Sequence, residues 1–350
     1  MTRSRSVRVW GVAGTATALA AVAGLAGAAL SKIDSVDDRD VSPELGTPAK
    51  CAEYGGLPPR WPAGKRAGMV WIKGGEIELG STTGYADERP AGTPVHVDDF
   101  WIERTEVTNA AFSAFVDESG YVTEAEIDGF AAVFRPPEGD AATLDEQDPS
   151  TWWSLVKGAS WRAPEGPGSS VDGRQNQPVV LVTYRDALAF AHWYGRDLPT
   201  EAEWEFAARS GGEPSGESAP RDDAGRPLAN YWQGDFPSHN SAEDGFASRA
   251  PVGCFPPNRA GLHDMIGNVW ELTRNSYEGE HSSHCTARVD VDSKQSAQRD
   301  GPVVIKGGSF LCAASYCSRY RASARYPQDA HLGASHVGFR TVLRAKRGHR

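Results

Sequence analysis

Cys312 and Cys317 are separated by four residues in GGSFLCAASYCSRYR, the stretch from Gly307 to Arg321. Thiols so close together serve as a structural disulfide, as half of a zinc site, or as a reactive pair. Gly307-Gly308-Ser309 ahead of them permits close backbone approach by a ligand. Arg319, Arg321 and Arg325 follow, and neighbouring cations favour the thiolate. Two thiolates at short spacing are soft ligands, and Cu(I) is the metal they select best. A reversible disulfide is the competing redox use. Spacing leaves these alternatives open.

Two other segments are rich in oxygen ligands: NYWQGDFPSHNSAEDGF, Asn230 to Phe246, and HDMIGNVWE, His263 to Glu271. Calcium takes about six to eight oxygens, and turns offer carbonyls beside Asp, Asn and Glu side chains. Neither segment has EF-hand spacing, and ordinary Asn/Asp/Gly turn chemistry is the competing reading. HSSHC, with His281, His284 and Cys285, is the nearest approach to a zinc motif, and it lacks a second ligand pair. No G-x-S-x-G elbow and no glycine-rich loop ending in Lys-Ser or Lys-Thr occurs, so hydrolase and nucleotide-binding readings have little support.

These residues need a scaffold to position them. Eleven tryptophans and thirty-eight glycines in 350 residues imply many turns pinned by large aromatic anchors. MVWIKGGEIELGS, Met69 to Ser81, reads as two short strands in a hairpin about Gly74-Gly75. VHVDDFWIERTEVT leads to Thr108, which caps a helix carrying Ala111, Phe112, Phe115 and Val116 on one face. Residues 123–176 are polar and turn-rich, and Trp152, Trp153 and Trp161 are expected to keep this long loop ordered. PVVLV, Pro178 to Val182, reads as a buried strand, and Thr183 caps a helix bearing Ala187, Phe190, Ala191 and Tyr194. Thr200-Glu201-Ala202-Glu203 is a capping box that opens a second helix through Trp204 and Ala208, the two helices sharing one core. With no internal repeat in evidence, residues 67–345 are expected to form a single α+β domain.

The first 30 residues stand apart. Arg3, Arg5 and Arg8 precede GVAGTATALAAVAGLAGAAL, twenty residues without a charge, and Ala26-Gly27-Ala28 offers a cleavage point after Ala28. This is the layout of an export signal, although residues 10–30 are also long enough for an uncleaved membrane anchor. No cysteine near that point invites a lipid. The chain is therefore expected outside the cytoplasmic membrane, where disulfides persist. Residues 31–66, rich in Pro, Gly and charge, read as a linker, and residues 346–350 as a basic tail. A formal charge of −10 and the lack of a basic stripe argue against nucleic acid. Membrane contact is expected only through the N-terminal segment.

KGGSFLCAASYCSRYRASAR, with HVGFR after it, resembles the C-terminal signature of the formylglycine-generating enzymes, the sulfatase-modifying-factor family. MVWIKGGEIELGS, DERPAGTPVHVDDFWIERTEVTNAAFSAFV, WRAPEGPGSS, QPVVLVTYRDALAFAHWYGRDLPTEAEWEFAAR, NYWQGDFPSHNSAEDGF and FPPNRAGLHDMIGNVWEL are similar to family segments in the family's order. The likeness runs from Met69 to Arg344. It implies a loop-rich sulfatase-modifying-factor domain with a C-type-lectin-like core and low regular secondary structure.

Several functional classes share this domain, and the cysteine pair in its GGS…RYR frame marks the catalytic branch. The resemblance implies a copper-dependent oxidase that uses O2 to convert a cysteine in a Cys-x-Pro-x-Arg-type segment of an unfolded sulfatase into Cα-formylglycine. Cys312 and Cys317 would hold Cu(I) with room for the substrate thiolate. Loss of a substrate Cβ hydrogen gives a thioaldehyde, and hydrolysis leaves the aldehyde. Ser309 and Trp270 match positions lining the family's site, Ser309 placing oxygen or the substrate thiolate. Two structural calcium ions are also implied. One would use Asn230 and Asp244 side chains with the carbonyls of Tyr231 and Phe246, the other Asp264 and Glu271 with the carbonyls of Gly267 and Val269. A monomer is expected.

Some positions depart from the family pattern. Asp264 stands where many relatives carry asparagine, Ala313 replaces a common histidine, and His336 a common asparagine. Ala322 stands where animal relatives have an extra cysteine, so Cys51, Cys254 and Cys285 carry no assigned pairing. Two other functions compete with sulfatase activation. One is a non-catalytic, calcium-stabilised exported module that binds peptide or glycan, with Cys312–Cys317 a permanent disulfide. The other is an oxidase of a different thiol. Exchange of free thiols with Cu(I) separates the module from the oxidases, and turnover of a sulfatase peptide separates the two oxidases.

Overall fold

Short apolar runs broken by glycine, proline and asparagine build short elements, and the fold is correspondingly modest in regular structure. The computed structural model describes residues 44–137, 151–210, 220–279 and 301–344, all within one unit, Val41–Arg350. The expected export or anchor segment 1–30, the tail 346–350, and the HSSHC cluster with Cys285 lie outside the described residues. No helix among the described residues is long and apolar enough to cross a membrane.

The architecture is mixed α+β. Helix α1 (Pro48–Glu53) comes first, followed by strands β1 (Met69–Ile72), β2 (Gly75–Ile77), β3 (Val95–Val97) and β4 (Phe100–Glu103). Helices α2 (Asn109–Ser119) and α3 (Glu124–Asp128) lead into β5 (Phe130–Phe134) and β6 (Trp153–Lys157). Helices α4 (Tyr184–Trp193) and α5 (Glu201–Ala208) precede β7 (Trp270–Ser276), β8 (Val303–Lys306), β9 (Arg325–Gln328), β10 (Val337–Gly338) and β11 (Val342–Arg344). Four small sheets result, ordered β1-β4-β11, β10-β7-β8-β9, β2-β3 and β5-β6. Only the β10–β7 pair among these is parallel.

The helix starts follow their capping chemistry. Thr108 accepts from the Ala111 N–H, and α2 ends at Gly120 in the left-handed region. Thr183 with Asp186 and Thr200 with Glu203 form reciprocal capping boxes for α4 and α5. Phe112, Phe115, Phe190, Trp161 and Phe339 pack edge-on and stacked in the largest buried cluster. That cluster also contains Trp270 and Cys312. The two helices do not share one core: α4 faces this cluster, whereas Ala202, Trp204, Phe206 and Ala207 of α5 face a second one with β1–β4.

Other expectations need correction. The runs about Gly74-Gly75 form no hairpin, because β1 pairs with β4 and β2 with β3. Gly74 passes so close to β3 that a Cβ there would lie 2.1 Å from the Val97 carbonyl. PVVLV is buried but is not a strand beyond an isolated bridge at Pro178. Leu181 adopts φ 58°, which breaks the extended run. The long loop 123–176 contains α3 and the β5–β6 pair, with Trp152 and Trp161 both 1% exposed.

The expected linker is folded from Glu44 onward. Cys51 forms a disulfide with Cys254, Gly46 N–H donates to the Gly253 carbonyl, and Trp61 packs 4.1 Å from the Tyr194 ring. Composition alone reads this stretch as solvated, and its few anchors reverse that. The bridge joins positions 203 residues apart, so removing it enlarges the unfolded ensemble. Cys254→Ser is expected to lower stability by about 2–5 kcal/mol. Thermal or urea unfolding checks this, and an unchanged midpoint would mean that the segment docks without its bridge.

Candidate active site

The cysteine segment leaves β8 at Lys306 and has no regular structure until β9, so side chains and turns must hold it. Gly307 and Gly308 sit at φ 91° and 82°, and a Cβ on Gly308 would lie 2.5 Å from the Arg319 carbonyl. This close approach folds the segment back on itself. It brings Cys312 and Cys317 together with their sulfurs 3.7 Å apart, both as free thiols. A disulfide would need about 2.0 Å.

The two thiols differ in setting. Cys312 is 2% exposed, its Sγ receives the Ser309 N–H at 3.4 Å, and burial pushes its pKa well up. Cys317 is partly exposed, and its pKa is lowered first by the hydrogen bond from the Cys312 thiol and also by the Arg319 charge. Ser309 is fully buried, and its Oγ accepts from Leu311 N–H at 3.3 Å. Trp270 is buried in the same large cluster as Cys312, with its ring 6.2 Å from that of Tyr326. Ser309, Cys312 and Cys317 thus meet directly, and Trp270 shares the buried cluster of Cys312.

The arginines after the cysteines are not bare cations. Arg319 donates to Asp87 and Glu88, Arg321 to Glu88, and Arg325 to Glu201. Their charge reaches the thiols muted. Asp87 and Glu88 come from a single 3-10 turn, Ala86–Glu88, which reading the sequence did not single out. Its signal was the Asp-Glu-Arg-Pro run in a glycine-rich stretch. Tyr316, also unremarked, is 44% exposed beside Cys317 and stacks 4.6 Å from Phe236. A cavity of about 320 Å³ bordered by Phe134, Glu165, Trp232, Arg249 and Phe310 opens against the same segment. His336, one of the departures from family pattern, rests 4.7 Å from the Trp153 ring, and burial lowers its pKa to about 3, leaving it neutral.

The oxygen-rich turns fall into two places. Asp244 accepts from the Tyr231 and Phe246 N–H groups and from Gln233, while the Asn230 Oδ1 is buried without a partner. Burial raises the pKa of Asp244. In the second place Asp264 accepts from Gly253 N–H at 2.6 Å, and burial pushes its pKa up to about 6. Glu271 is fully engaged, by Arg340 at 2.6 Å and by Trp204 Nε1 at 2.7 Å. Gly267 and Val269 lie in the same turn before β7, and Gly267 leaves no room for a Cβ against the Asn230 carbonyl. Glu106 joins this group although the sequence reading missed it. It is 1% exposed, its Oε2 has no partner, and burial followed by the charges of Asp264 and Glu271 raises its pKa well up. Among the described residues no group of three or more His, Cys, Asp or Glu side chains is arranged to hold a metal ion.

Comparison with known proteins settles the family. A family model described as the sulfatase-modifying factor enzyme 1-like domain matches residues 55–345. The formylglycine-generating enzyme of Thermomonospora curvata is 42% identical over 297 residues, covering 81% of this chain and 96% of that one. The chain belongs to the formylglycine-generating enzyme family. The enzyme of that name from Mycobacterium tuberculosis is 43% identical over 295 residues, covering 78% of this chain and 97% of its own. A solved structure of PvdO from Pseudomonas aeruginosa shares the fold at 22% identity and a TM-score of 0.54, covering 78% of this chain and 93% of that one. The chain's 42–43% identity to the two formylglycine-generating enzymes supports an enzymatic activity of oxidase type. A relative from Bos taurus named an inactive C-alpha-formylglycine-generating enzyme 2 is 36% identical over 294 residues. Overall likeness by itself therefore does not separate active from inactive members.

The asymmetry of the cysteine pair gives a direct check. In metal-free reduced protein near pH 7.5, iodoacetamide is expected to modify Cys317 well before Cys312, read by peptide mass. Equal rates would mean that the segment opens readily and that burial does not protect Cys312.

Proposed function

We propose that this enzyme is a copper-dependent oxidase that converts the cysteine of a Cys-x-Pro-x-Arg segment in an unfolded sulfatase to Cα-formylglycine with O2. The observation that carries this reading is the free Cys312–Cys317 pair at 3.7 Å in a chain that bridges Cys51 to Cys254. A permanent disulfide, which the non-catalytic module requires, is at odds with that separation. The donor set fits Cu(I). Two soft sulfurs at 3.7 Å lie within the span of two metal–sulfur bonds of about 2.3 Å each. When bound, copper supplies a redox centre for the reduction of O2.

The chain's own residues prepare the place. Cys312 is fixed from inside by the Ser309 N–H, and Cys317 reaches the surface, so a substrate thiol approaches from the Cys317 side. Trp270 and the aromatic cluster behind it exclude water from the inner sulfur. Ser309, buried beneath the pair, is suited to place oxygen or the incoming thiolate. The Tyr316–Phe236 stack and the neighbouring cavity offer an apolar wall for residues flanking the substrate cysteine.

Two structural calcium ions fit the oxygen-rich turns. The orphaned Asn230 Oδ1 with Asp244, Tyr231 and Phe246 suits one, and Glu106, Asp264, Gly267, Val269 and Glu271 suit the other. At the second place burial and the neighbouring charges hold the pKa values of Glu106 and Asp264 up beside Glu271, which Arg340 engages, and a cation close to Asp264 would lower them. The Cys51–Cys254 bridge supports an exported, extracytoplasmic location. We also read the small sheets as a C-type-lectin-like core and the protein as a monomer.

Reduced, copper-loaded protein with O2 and a Cys-x-Pro-x-Arg peptide is expected to yield an aldehyde product by mass spectrometry after aldehyde capture. Cys312→Ser and Cys317→Ser should each abolish it. Tight Cu(I) binding without product would point to another thiol substrate, and loss of both would leave the module reading. Calcium removal with a chelator should lower the melting temperature reversibly, and Asn230→Ala should blunt that response. A melting curve indifferent to calcium would remove it from the structure.

A further inference from the structure

One turn of the chain grips the far side of the cysteine segment. Glu88 is completely buried, and its two carboxylate oxygens are divided between two arginines. Oε1 accepts from Arg319 at 2.7 Å, and Oε2 from Arg321 at 2.8 and 2.6 Å. Asp87 next to it accepts from Nη1 and Nη2 of Arg319 at 3.0 and 3.1 Å, sharing Nη1 with Glu88. The Tyr85 ring lies 4.1 Å from the Arg319 guanidinium and 5.3 Å from that of Arg321. Its hydroxyl also accepts from the Ser318 N–H at 3.3 Å. Residues 318, 319 and 321, directly after Cys317, are therefore all held from one place, and Arg319 N–H donates to the Cys317 carbonyl at 2.8 Å.

The chain also carries a bridged pair, Cys51–Cys254, which marks an oxidising setting. Two free thiols 3.7 Å apart in such a setting need a reason not to close. We propose that Glu88 is a positioning residue of the site: by holding Arg319 and Arg321 together it fixes Cys317 where the pair resists closing into a disulfide. Closure forms an Sγ–Sγ bond between Cys312 and Cys317, breaks the S–S bond of an external disulfide such as oxidised glutathione, and passes both thiol protons to the two glutathione thiols. It also requires the sulfurs to approach from 3.7 Å to about 2.0 Å, and the grip of Glu88 on residues 319 and 321 opposes any shift of the segment that would close this gap. The oxidase reading gives this restraint its purpose, since only the open pair can receive a metal. The test needs neither copper nor peptide, so the two ideas fail separately.

Metal-free, full-length protein is equilibrated in glutathione redox buffers, quenched by alkylation, and scored by mass for Cys312 and Cys317. Glu88→Gln keeps the shape and removes the charge. It is expected to shift the equilibrium toward the disulfide by about tenfold, or about 30 mV. Glu88→Asp, with the charge kept and the reach shortened, should fall between. Arg344→Gln, which breaks a different ion pair with Glu203 and Asp197, should lower stability without moving the redox equilibrium. A Glu88→Gln protein that melts cooperatively and titrates as the wild type does overturns the proposal. If that variant fails to fold, Arg321→Lys loses the paired contact to Glu88 with the charge retained and should shift the equilibrium in the same direction. A wild-type value there overturns the proposal equally.

Discussion

Buried charge, arranged in matched sets, shapes the segment on which the chemistry depends. Between β8 and β9 there is no ladder of backbone hydrogen bonds, yet Ser309 and Cys312 are almost completely buried there. Lys306, Arg319, Arg321 and Arg325 flank the pair, and Asp87, Glu88, Glu201 and Glu205 meet them. Desolvating such ions is costly, and their attraction offsets the cost only where geometry is good and the remaining hydrogen bonds are made. Removing one partner would leave an ion stranded, at about 3–5 kcal/mol. A net of this kind has few alternative arrangements, which is what an irregular loop needs if two sulfurs are to stay in register.

The second buried ion group has a different balance. Arg340 is fully buried between Glu271, Glu106 and Asp264, and also donates to the carbonyls of Glu103 and His263. Here the carboxylates outnumber the arginine, and burial has already pushed the pKa of Asp264 up to about 6. The contrast with the matched net around Cys317 separates two uses of charge in one fold. A matched net fixes a loop, whereas an excess of buried carboxylate holds its carboxyl groups toward the protonated form. Glu271 ties the group to the cysteine segment, because it accepts from Trp204 Nε1, whose ring packs against Gly307.

Much of this was legible in the residues, for physical reasons that differ from place to place. Thr108, Thr183 and Thr200 announced helix starts because capping is a local interaction within four residues. The cysteine pair and the GGS turn were legible because their chemistry is carried by residue type at short spacing. The β1–β2 hairpin failed because pairing is non-local: both runs look like strands, but their partners lie further along the chain. The linker failed for a similar reason, since Cys51 finds its partner 203 residues away. Glu88 and Glu106 were invisible for the same cause. Each is an ordinary acid among other polar residues of its segment, and only the fold brings it to Arg319 and Arg321 or to Asp264.

The scaffold and the chemistry are therefore separable. Neither the aromatic cluster around Phe112 and Phe190 nor either ion group uses a thiol side chain for its main contacts. Replacing Cys312 or Cys317 by serine exchanges a polarizable sulfur for a smaller oxygen and touches none of the charged groups of these ion pairs. A family built this way can lose its activity and retain its fold, which accords with a relative called inactive at 36% identity across 81% of this chain. The converse is a matter of energetics: well-packed apolar residues of similar volume can replace a buried ion group without loss of stability, so packing alone does not call for the net of Asp87, Glu88, Arg319 and Arg321 beside Cys317.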